Sequence, residues 1–483
     1  MGRLIRRAAA VVAAGAVVGT FGVTGVSAAG AATRAPQPAR AQSLATAQAL
    51  AVPGAKLWAR RFSGPGKDSD VANSVAVSPG GGRVFVTGDS TDTSFNSDYL
   101  TAAYNAATGA RLWTARYNGP GNSIDDARAV AVSPDGATVF VTGASAGGPE
   151  SDHSDDYATV AYRASDGTQL WVARFNGPTN SGDFANAVSV ARDGSALFVT
   201  GTSFAGPFDS VSSMTTVAYS ASDGAQLWVK NWSPPSCCNY GGTAIVSPGG
   251  NRVFVTGLVQ SKAVTAQYGT VAYNATTGAR LWARRFAGRG GAALAVSPDL
   301  TKVYVTGQSH SKYGTLAYSA RTGARLWARF YSGGSKFIDS ANSVAVSPGG
   351  TVLVTGGSPH PGSSTDDYAT VAYSPNGARL WARRYSGRPG NHSDIAYAVA
   401  VPGNGKVYVT GSSWGGSATG NDYATIAYNV RTGALVWVRR YNGPASGGDS
   451  ASSLAARGGR VFVTGGSAGT TSGDDYATIA YNG

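Results

Sequence analysis

The chain has 483 residues, 42% of them hydrophobic and 13% charged, with a formal net charge of +13, or +10 once Arg3, Arg6 and Arg7 are set aside. A basic balance of this size would attract nucleic acid or anionic envelope polymers. Here it is carried by arginines beside a recurring tryptophan, such as Arg60, Arg61, Arg284, Arg285, Arg383, Arg384, Arg439 and Arg440; read as spread evenly over the repeats it describes a solvated rim, and nucleic acid is excluded as a partner.

Residues 1–31 read as an export signal: three arginines, an apolar run, and small residues near Ala28 to Ala31. Glycines and threonines break the run, so membrane insertion is not expected, and no cysteine stands there to carry a lipid. Arg6-Arg7 hints at a twin-arginine route. Residues 32–52, rich in Ala, Pro and Gln, read as a flexible arm. The expected product is soluble, secreted and extracellular.

From residue 53 onward one unit recurs eight times. One copy reads AVAVSPDGATVFVTG (Ala129 to Gly143), then DYATVAY (Asp156 to Tyr162), then DGTQLWVARF (Asp166 to Phe175). The tryptophans are Trp58, Trp113, Trp171, Trp228, Trp282, Trp327, Trp381 and Trp437. AVAVSP and VFVTG are rich in β-branched residues and joined by tight turns such as SPDG (Ser133 to Gly136). YATVAY alternates at period two and passes through Thr-Gly, Asp-Gly or Asn-Gly into the tryptophan strand, a hairpin signal. Four short strands at a period near 50 residues are the blades of a β-propeller. The repeat is entered at the tryptophan strand (Lys56 to Phe62) and left after a third strand (Tyr476 to Tyr481). The first strand can thus pair with the last three. The expected fold is all-β, an eight-bladed propeller of residues 53–483 with no open sheet edge at the seam, and a monomer.

AYNAATGARLW (Ala103 to Trp113), AYNATTGARLW (Ala272 to Trp282) and AYNVRTGALVW (Ala427 to Trp437) resemble the tryptophan-docking repeat of the quinoprotein propellers. That family includes pyrroloquinoline-quinone dehydrogenases and a non-catalytic propeller lipoprotein of outer-membrane assembly. The resemblance implies that each tryptophan packs between neighbouring blades. It leaves activity open, because function resides in sites and not in the scaffold.

The SPDG and Thr-Gly turns fall on one face, short and nearly uniform. The loops from strand two to three, and from strand four to the next strand one, fall on the other; they are long and variable, so binding is expected there. An aspartate precedes strand one in six units: Asp70, Asp125, Asp183, Asp339, Asp394 and Asp449. Another precedes strand three in five: Asp98, Asp156, Asp367, Asp422 and Asp475. Six carboxylates in a ring are candidate calcium ligands. Repetition favours a plainer reading, that each accepts backbone N–H groups at a loop end.

One unit departs from the pattern. In SPPSCCNYGGTAIVSP (Ser233 to Pro248), Tyr240 stands at the aspartate position, just after Cys237 and Cys238. Adjacent cysteines in an exported protein allow a strained disulfide ring or two free thiols. Quinoprotein alcohol dehydrogenases carry such a ring over the quinone, so Cys237 and Cys238 are the candidate cofactor residues. The acids of that site are missing: Glu150 is the sole glutamate, and Leu258 to Gln267 holds no acid. One glutamate also excludes the paired glutamates of a glycosidase.

Ser145, Ser413 and Ser467 lie in G-x-S-x-G patterns, yet no helix follows, so they read as loop residues and not nucleophiles. His153, His310, His360 and His392 fall in different units and read as solvent-facing. The expected function is therefore a secreted, non-catalytic scaffold that recognises a protein or glycan through the variable face, with no cofactor. The alternative is a degenerate quinoprotein oxidoreductase using pyrroloquinoline quinone and calcium.

Overall fold

The computed structural model describes residues 52–66, 68–148, 155–205, 211–233, 239–240, 244–246, 251–261, 264–388 and 392–483. They form eight antiparallel sheets and no helix. Blades 1 to 8 begin at Asp70, Asp125, Asp183, Asn239, Arg289, Ser340, Ile395 and Asp449. Blade 8 takes its outermost strand, Lys56–Phe62, from the other end of the propeller, paired along Asp474–Asn482. This is the expected closure. The innermost strands of neighbouring blades touch one another and so ring the central axis.

The recurring residues have physical reasons. The threonine of each Val-Thr-Gly bonds the threonine facing it on strand three, as in Thr87 with Thr101 at 3.0 Å and Thr464 with Thr478 at 2.9 Å. The tyrosine before the threonine of strand three donates to a carbonyl of the next blade, as in Tyr99 to Ala158 at 3.3 Å and Tyr476 to Leu100 at 3.2 Å. Each tryptophan packs between blades, as the resemblance implied. Trp113 Nε1 donates to Ala164 O at 3.1 Å and Trp282 Nε1 to Ala320 O at 3.1 Å.

The glycine of the Thr-Gly turn is required twice over. Gly167 has φ 77°, and a Cβ there would stand 2.6 Å from the Trp113 ring. Only glycine accepts both the left-handed backbone and the contact. At the seam this turn is assembled from Gly54, whose N–H donates to Asn482 O, and Gly54 packs on Trp437.

The arginines beside the tryptophan are not a solvated rim. The first of each pair staples the next blade's turn: Arg60 Nε to Gly109 O at 2.8 Å, Arg329 to Gly377 at 2.7 Å, Arg439 to Gly54 at 2.7 Å. The second reaches the opposite face and belongs to the site below. On the outermost strands a β-bulge recurs ahead of the tryptophan, as between Ala103 and Tyr104. It leaves a leucine pointing outward, such as Leu112 or Leu326, and bulges of this kind protect an edge strand from pairing with another chain.

Candidate functional site: the variable face and its irregular sector

The six aspartates before strand one are buried at the start of that strand, or just ahead of it, one per blade around the ring. Each takes a backbone N–H from a glycine six or seven residues earlier: Gly64 to Asp70 at 2.5 Å, Gly119 to Asp125 at 2.7 Å, Gly177 to Asp183 at 2.5 Å, Gly333 to Asp339 at 3.2 Å, Gly387 to Asp394 at 2.7 Å and Gly443 to Asp449 at 2.7 Å. Strand two adds a second N–H, from Thr91 to Asp70 and from Trp414 to Asp394. Burial raises the Asp70 and Asp449 carboxyls above their ordinary range and pushes Asp125 up to about 6, against the hydrogen bonds that favour their charged forms.

Five of the six aspartates, all but Asp183, neighbour a clamp of further side chains. In blades 1, 2, 6, 7 and 8 an arginine near the end of strand four reaches a serine on strand two and the aspartate of strand three. The ion pairs are Arg116–Asp98, Arg174–Asp156, Arg384–Asp367, Arg440–Asp422 and Arg61–Asp475, at 2.8 to 3.0 Å. The serines are Ser90, Ser145, Ser358, Ser413 and Ser467, and Ser358 Oγ also donates to Asp339 at 2.5 Å. Ser145, Ser413 and Ser467, read as loop residues, are instead fully buried strand residues. They are hydrogen-bond hubs, which is why the G-x-S-x-G pattern recurs. A tyrosine of the preceding blade completes the clamp: Tyr117 accepts from Arg174 and Tyr385 from Arg440, both at 3.0 Å.

Three consecutive blades break the clamp. In blade 3, Asn231 and Ser213 replace arginine and aspartate, joined through Thr215 by neutral hydrogen bonds of 3.0 Å. In blade 4, Asn239 pairs with Val259 in the register that Asp70 has with Ser90. Asn239, and not Tyr240, therefore stands at the aspartate position. Gln267 takes the second aspartate's place, and Arg285 keeps the arginine with no carboxylate to meet it. In blade 5 a cation, Lys312, stands at the second aspartate's place and Phe330 at the arginine's, while Arg289 pairs with Gln308 in the register that Val71 has with Asp89, one step past the first aspartate's position.

The rim is also cut down at blade 5. Only Gly288 separates the last strand of blade 4 (Arg280–Ala287) from the first of blade 5 (Arg289–Val296). Its strand-two to strand-three connection is the two-residue turn His310-Ser311, with φ 51° and 58°, the left-handed pair of a tight hairpin. Phe286 stacks on Phe330 with ring centroids 6.2 Å apart, replacing the tyrosine–arginine hydrogen bond of other blades, and His310 meets Phe330 edge-on at 6.2 Å. Phe330 is 45% exposed. Sequence reasoning missed this sector, although Trp282 and Trp327 are the most closely spaced of the eight tryptophans.

The even spread of charge expected from the sequence is corrected here as well. Residues 224–338 hold thirteen Lys and Arg and a single acid, Asp299, a net +12 of the chain's +13. In five blades outside this sector the second arginine meets an aspartate; inside it the clamp aspartates are gone.

At the axis, blades 1 and 2 carry a second irregularity. Asn73 Nδ2 donates to Asp89 Oδ1 at 3.1 Å and to Ala127 O at 2.9 Å, and lies 3.5 Å from Asp126 Oδ1. Arg128 bonds Asp126 at 2.9 Å and Asn186 at 2.7 Å. Burial, reinforced by the charge of Asp126, pushes the Asp89 carboxyl up to about 8.

Cys237 and Cys238 lie outside the described residues, as do Glu150, His153 and residues 1–51. His310, His360 and His392 stand in separate blades, His392 stacked on Trp414 at 3.6 Å. Among the described residues no three His, Cys, Asp or Glu groups converge as metal ligands. A quinone held with calcium needs several hard oxygen donors around one cation. The six ring aspartates are parted by whole blades and turned to backbone amides, and Arg128 is taken up by Asp126 and Asn186. The described residues do not fit that pair, and no step is routed through it.

No curated protein sequence matches the chain. Among solved structures it is similar to BamB from Moraxella catarrhalis, at 14% identity over 89% of this chain and 100% of that one, with a TM-score of 0.46. It is similar to the Dos1 propeller at 11% identity, over 88% of this chain and 95% of that one, with a TM-score of 0.54. It is similar to the quinohemoprotein alcohol dehydrogenase ADHIIG from Pseudomonas putida HK5 at 14% identity, over 89% of this chain and 76% of that one, TM-score 0.54. At these identities the likeness shows the fold alone. Residues 42–206 and 213–418 match the sequence family described as outer membrane protein assembly factor BamB, and the chain belongs to that family of quinoprotein-type β-propellers.

Proposed function

We propose that the protein is a non-catalytic binding scaffold, exported from the cell, that docks a protein partner through its variable face. The observation that carries this reading is where the polar repeat residues go. The ring aspartates and the clamp arginines are engaged with backbone amides and with each other, so they brace the face from within. Beside the exposed cations of blades 4 and 5, the face offers apolar side chains outward: Phe95 (76% exposed), Ile124, Phe330, Phe337 and Ile338 all sit in or beside its loops. Exposed aromatic residues on a rigid frame suit partner recognition, because little ordering is lost on binding. Membership of a family described by its role in outer-membrane assembly supports the same reading.

The test is site-specific photo-crosslinking in the producing cell, from position 95 on the variable face and from position 170 on the outer strand of blade 2. A single defined adduct from position 95 and none from position 170 is expected. Equal adducts from both positions would remove the case for the variable face. A thermal melt with added pyrroloquinoline quinone and calcium separates the oxidoreductase alternative. We expect no shift, whereas a ligand at a hundred times its dissociation constant would add about 2.7 kcal/mol of apparent stability.

A further inference from the structure

The clamp-free sector has a chemistry of its own. Arg285, Arg289 and Lys312 are exposed, and none of them has a carboxylate partner among the described residues. In five other blades the corresponding charges neutralise one another across 2.8 to 3.0 Å. Beside these cations lie Phe330, Phe337 at 41% exposure and Ile338 at 50%. The loop that carries Phe337 and Ile338 abuts the hairpin tip of blade 5, where Asp339 N–H donates to Ser311 O at 3.0 Å. Cations and apolar side chains thus share one notch in the rim.

The dimensions follow from the register. Arg289 pairs with Gln308, Gln308 with Tyr313, and Tyr313 with Tyr331. Strands lie about 4.8 Å apart, so the two ends of this row are roughly 14 Å apart, the span of about four or five extended residues at 3.3 Å each.

We propose that this notch is a binding site for an acidic, apolar-bearing extended segment of a partner protein, a proposal that rests on the scaffold reading above. Carboxylates of the segment would meet Lys312, Arg289 and Arg285, the cations that this sector leaves without a carboxylate among the described residues. Its apolar side chains would cover Phe330, Phe337 and Ile338. The apolar half of the notch decides between macromolecules. A nucleic acid or an acidic glycan satisfies the cations and can stack on Phe337, yet neither carries aliphatic side chains to cover Ile338, and Phe330 already stacks on Phe286. Complementary charge sets the encounter rate and the register, and the buried apolar contacts slow dissociation.

The decisive variant rebuilds the arginine–aspartate pair of the sister blades with Lys312→Asp and Phe330→Arg, and removes the remaining cation of blade 5 with Arg289→Gln. It restores a solution that this chain uses five times, so the fold is expected to survive. The probe is a fluorescein-labelled peptide of about 15 residues, glutamates interspersed with leucine and phenylalanine, read by anisotropy against the full-length secreted protein. Its companions are the same peptide with serine for every apolar residue, and an oligo-dT of equal charge.

The wild type is expected to bind the apolar acidic peptide at least tenfold more tightly than either companion, and more weakly at high salt. The rebuilt variant is expected to lose at least tenfold in affinity with its melting temperature unchanged or raised. If the rebuilt variant is unstable, Arg289→Gln with Lys312→Gln supplies the reading, with the same loss expected. Unchanged binding in either folded variant overturns the proposal. So does equal or tighter binding of oligo-dT, which would make the sector a nucleic-acid surface. Binding lost in Phe95→Ser and kept in the rebuilt variant overturns the notch and leaves the scaffold reading standing. Absence of peptide binding by the wild type overturns the notch, and the crosslinks from position 95 then judge the scaffold separately.

Discussion

Replacing Arg440 by methionine is expected to destabilise the protein by about 3 kcal/mol, because it strands Asp422. Arg440 donates to Asp422 at 2.9 and 3.0 Å, to Ser413 Oγ and O at 2.7 Å each, and to Tyr385 at 3.0 Å. The Asp422 side chain is 8% exposed and Arg440 24%, so the pair is shielded without being fully dry. An uncompensated buried charge costs about 3–5 kcal/mol, and the lower end applies because water reaches the guanidinium side. For a chain of this size the shift in melting temperature is about 3 °C.

Two controls give this result its meaning. Arg440→Phe with Asp422→Lys copies blade 5, removes the stranded carboxylate, and is expected to recover more than half of the loss. Arg285→Met, at the same position of blade 4, breaks no ion pair and is expected to stay within about 0.5 kcal/mol of the wild type. A large loss in Arg285→Met would mean that these arginines act through packing alone, and the clamp would explain nothing.

Stability is expected to fall as pH rises from about 4 to about 8, the reverse of the usual acid sensitivity. Asp125 and Asp366 are pushed up to about 6 and Asp89 to about 8, in each case mainly by burial, with neighbouring acids adding to it. Between the ordinary carboxylate range and these values the folded state holds protons that the unfolded state has released. Unfolding then releases protons, and its free energy declines with pH throughout that window. The turn aspartates Asp135, Asp193 and Asp299, held low by hydrogen bonds from Ser133, Ser195 and Ser297 respectively, are ionised in both states there and contribute no slope.

Asp89→Asn isolates the largest part. The amide keeps an oxygen to accept from Asn73 and cannot ionise beside Asp126. At pH 8 it is expected to stabilise the protein by about 2 kcal/mol, each pKa unit being worth about 1.4 kcal/mol before screening at the axis. At about pH 3, below the ordinary carboxylate range, Asp89 is protonated in the folded state and largely so in the unfolded one, and the variant and the wild type should melt together. Equal melting at both pH values would show that Asp89 ionises freely, and the axial cluster would then be an ordinary solvated one.

Much of this architecture is legible in the order of residues. Period-two alternation in YATVAY, tight-turn residues at fixed offsets and eight tryptophans demand four-stranded blades, because each sheet buries its faces only against a neighbour. The circular permutation at the seam is legible for the same reason. Lys56–Phe62 has no sheet of its own and Asp474–Asn482 lacks an outer partner. Repetition also argued that the six ring aspartates serve backbone amides, and the structure places each of them on a glycine N–H.

Register and partnership were decided only in three dimensions. The sequence shows Tyr240 following the two cysteines. Strand pairing alone shows that Asn239 takes the aspartate's place opposite Val259. Arginines beside the tryptophan look alike along the chain. Alternation along the outermost strand sends Arg439 to the Gly54 carbonyl and Arg440 to Asp422, on opposite faces of the ring. Asp89 and Asp126 are 37 positions apart and belong to different blades, and Asn73 brings them together at the axis. A local pattern specifies which strands form, because propensity and turn chemistry act between near neighbours. Which charges meet, and which are left without a partner at blade 5, depends on contacts between blades, and those exist only once the ring has closed.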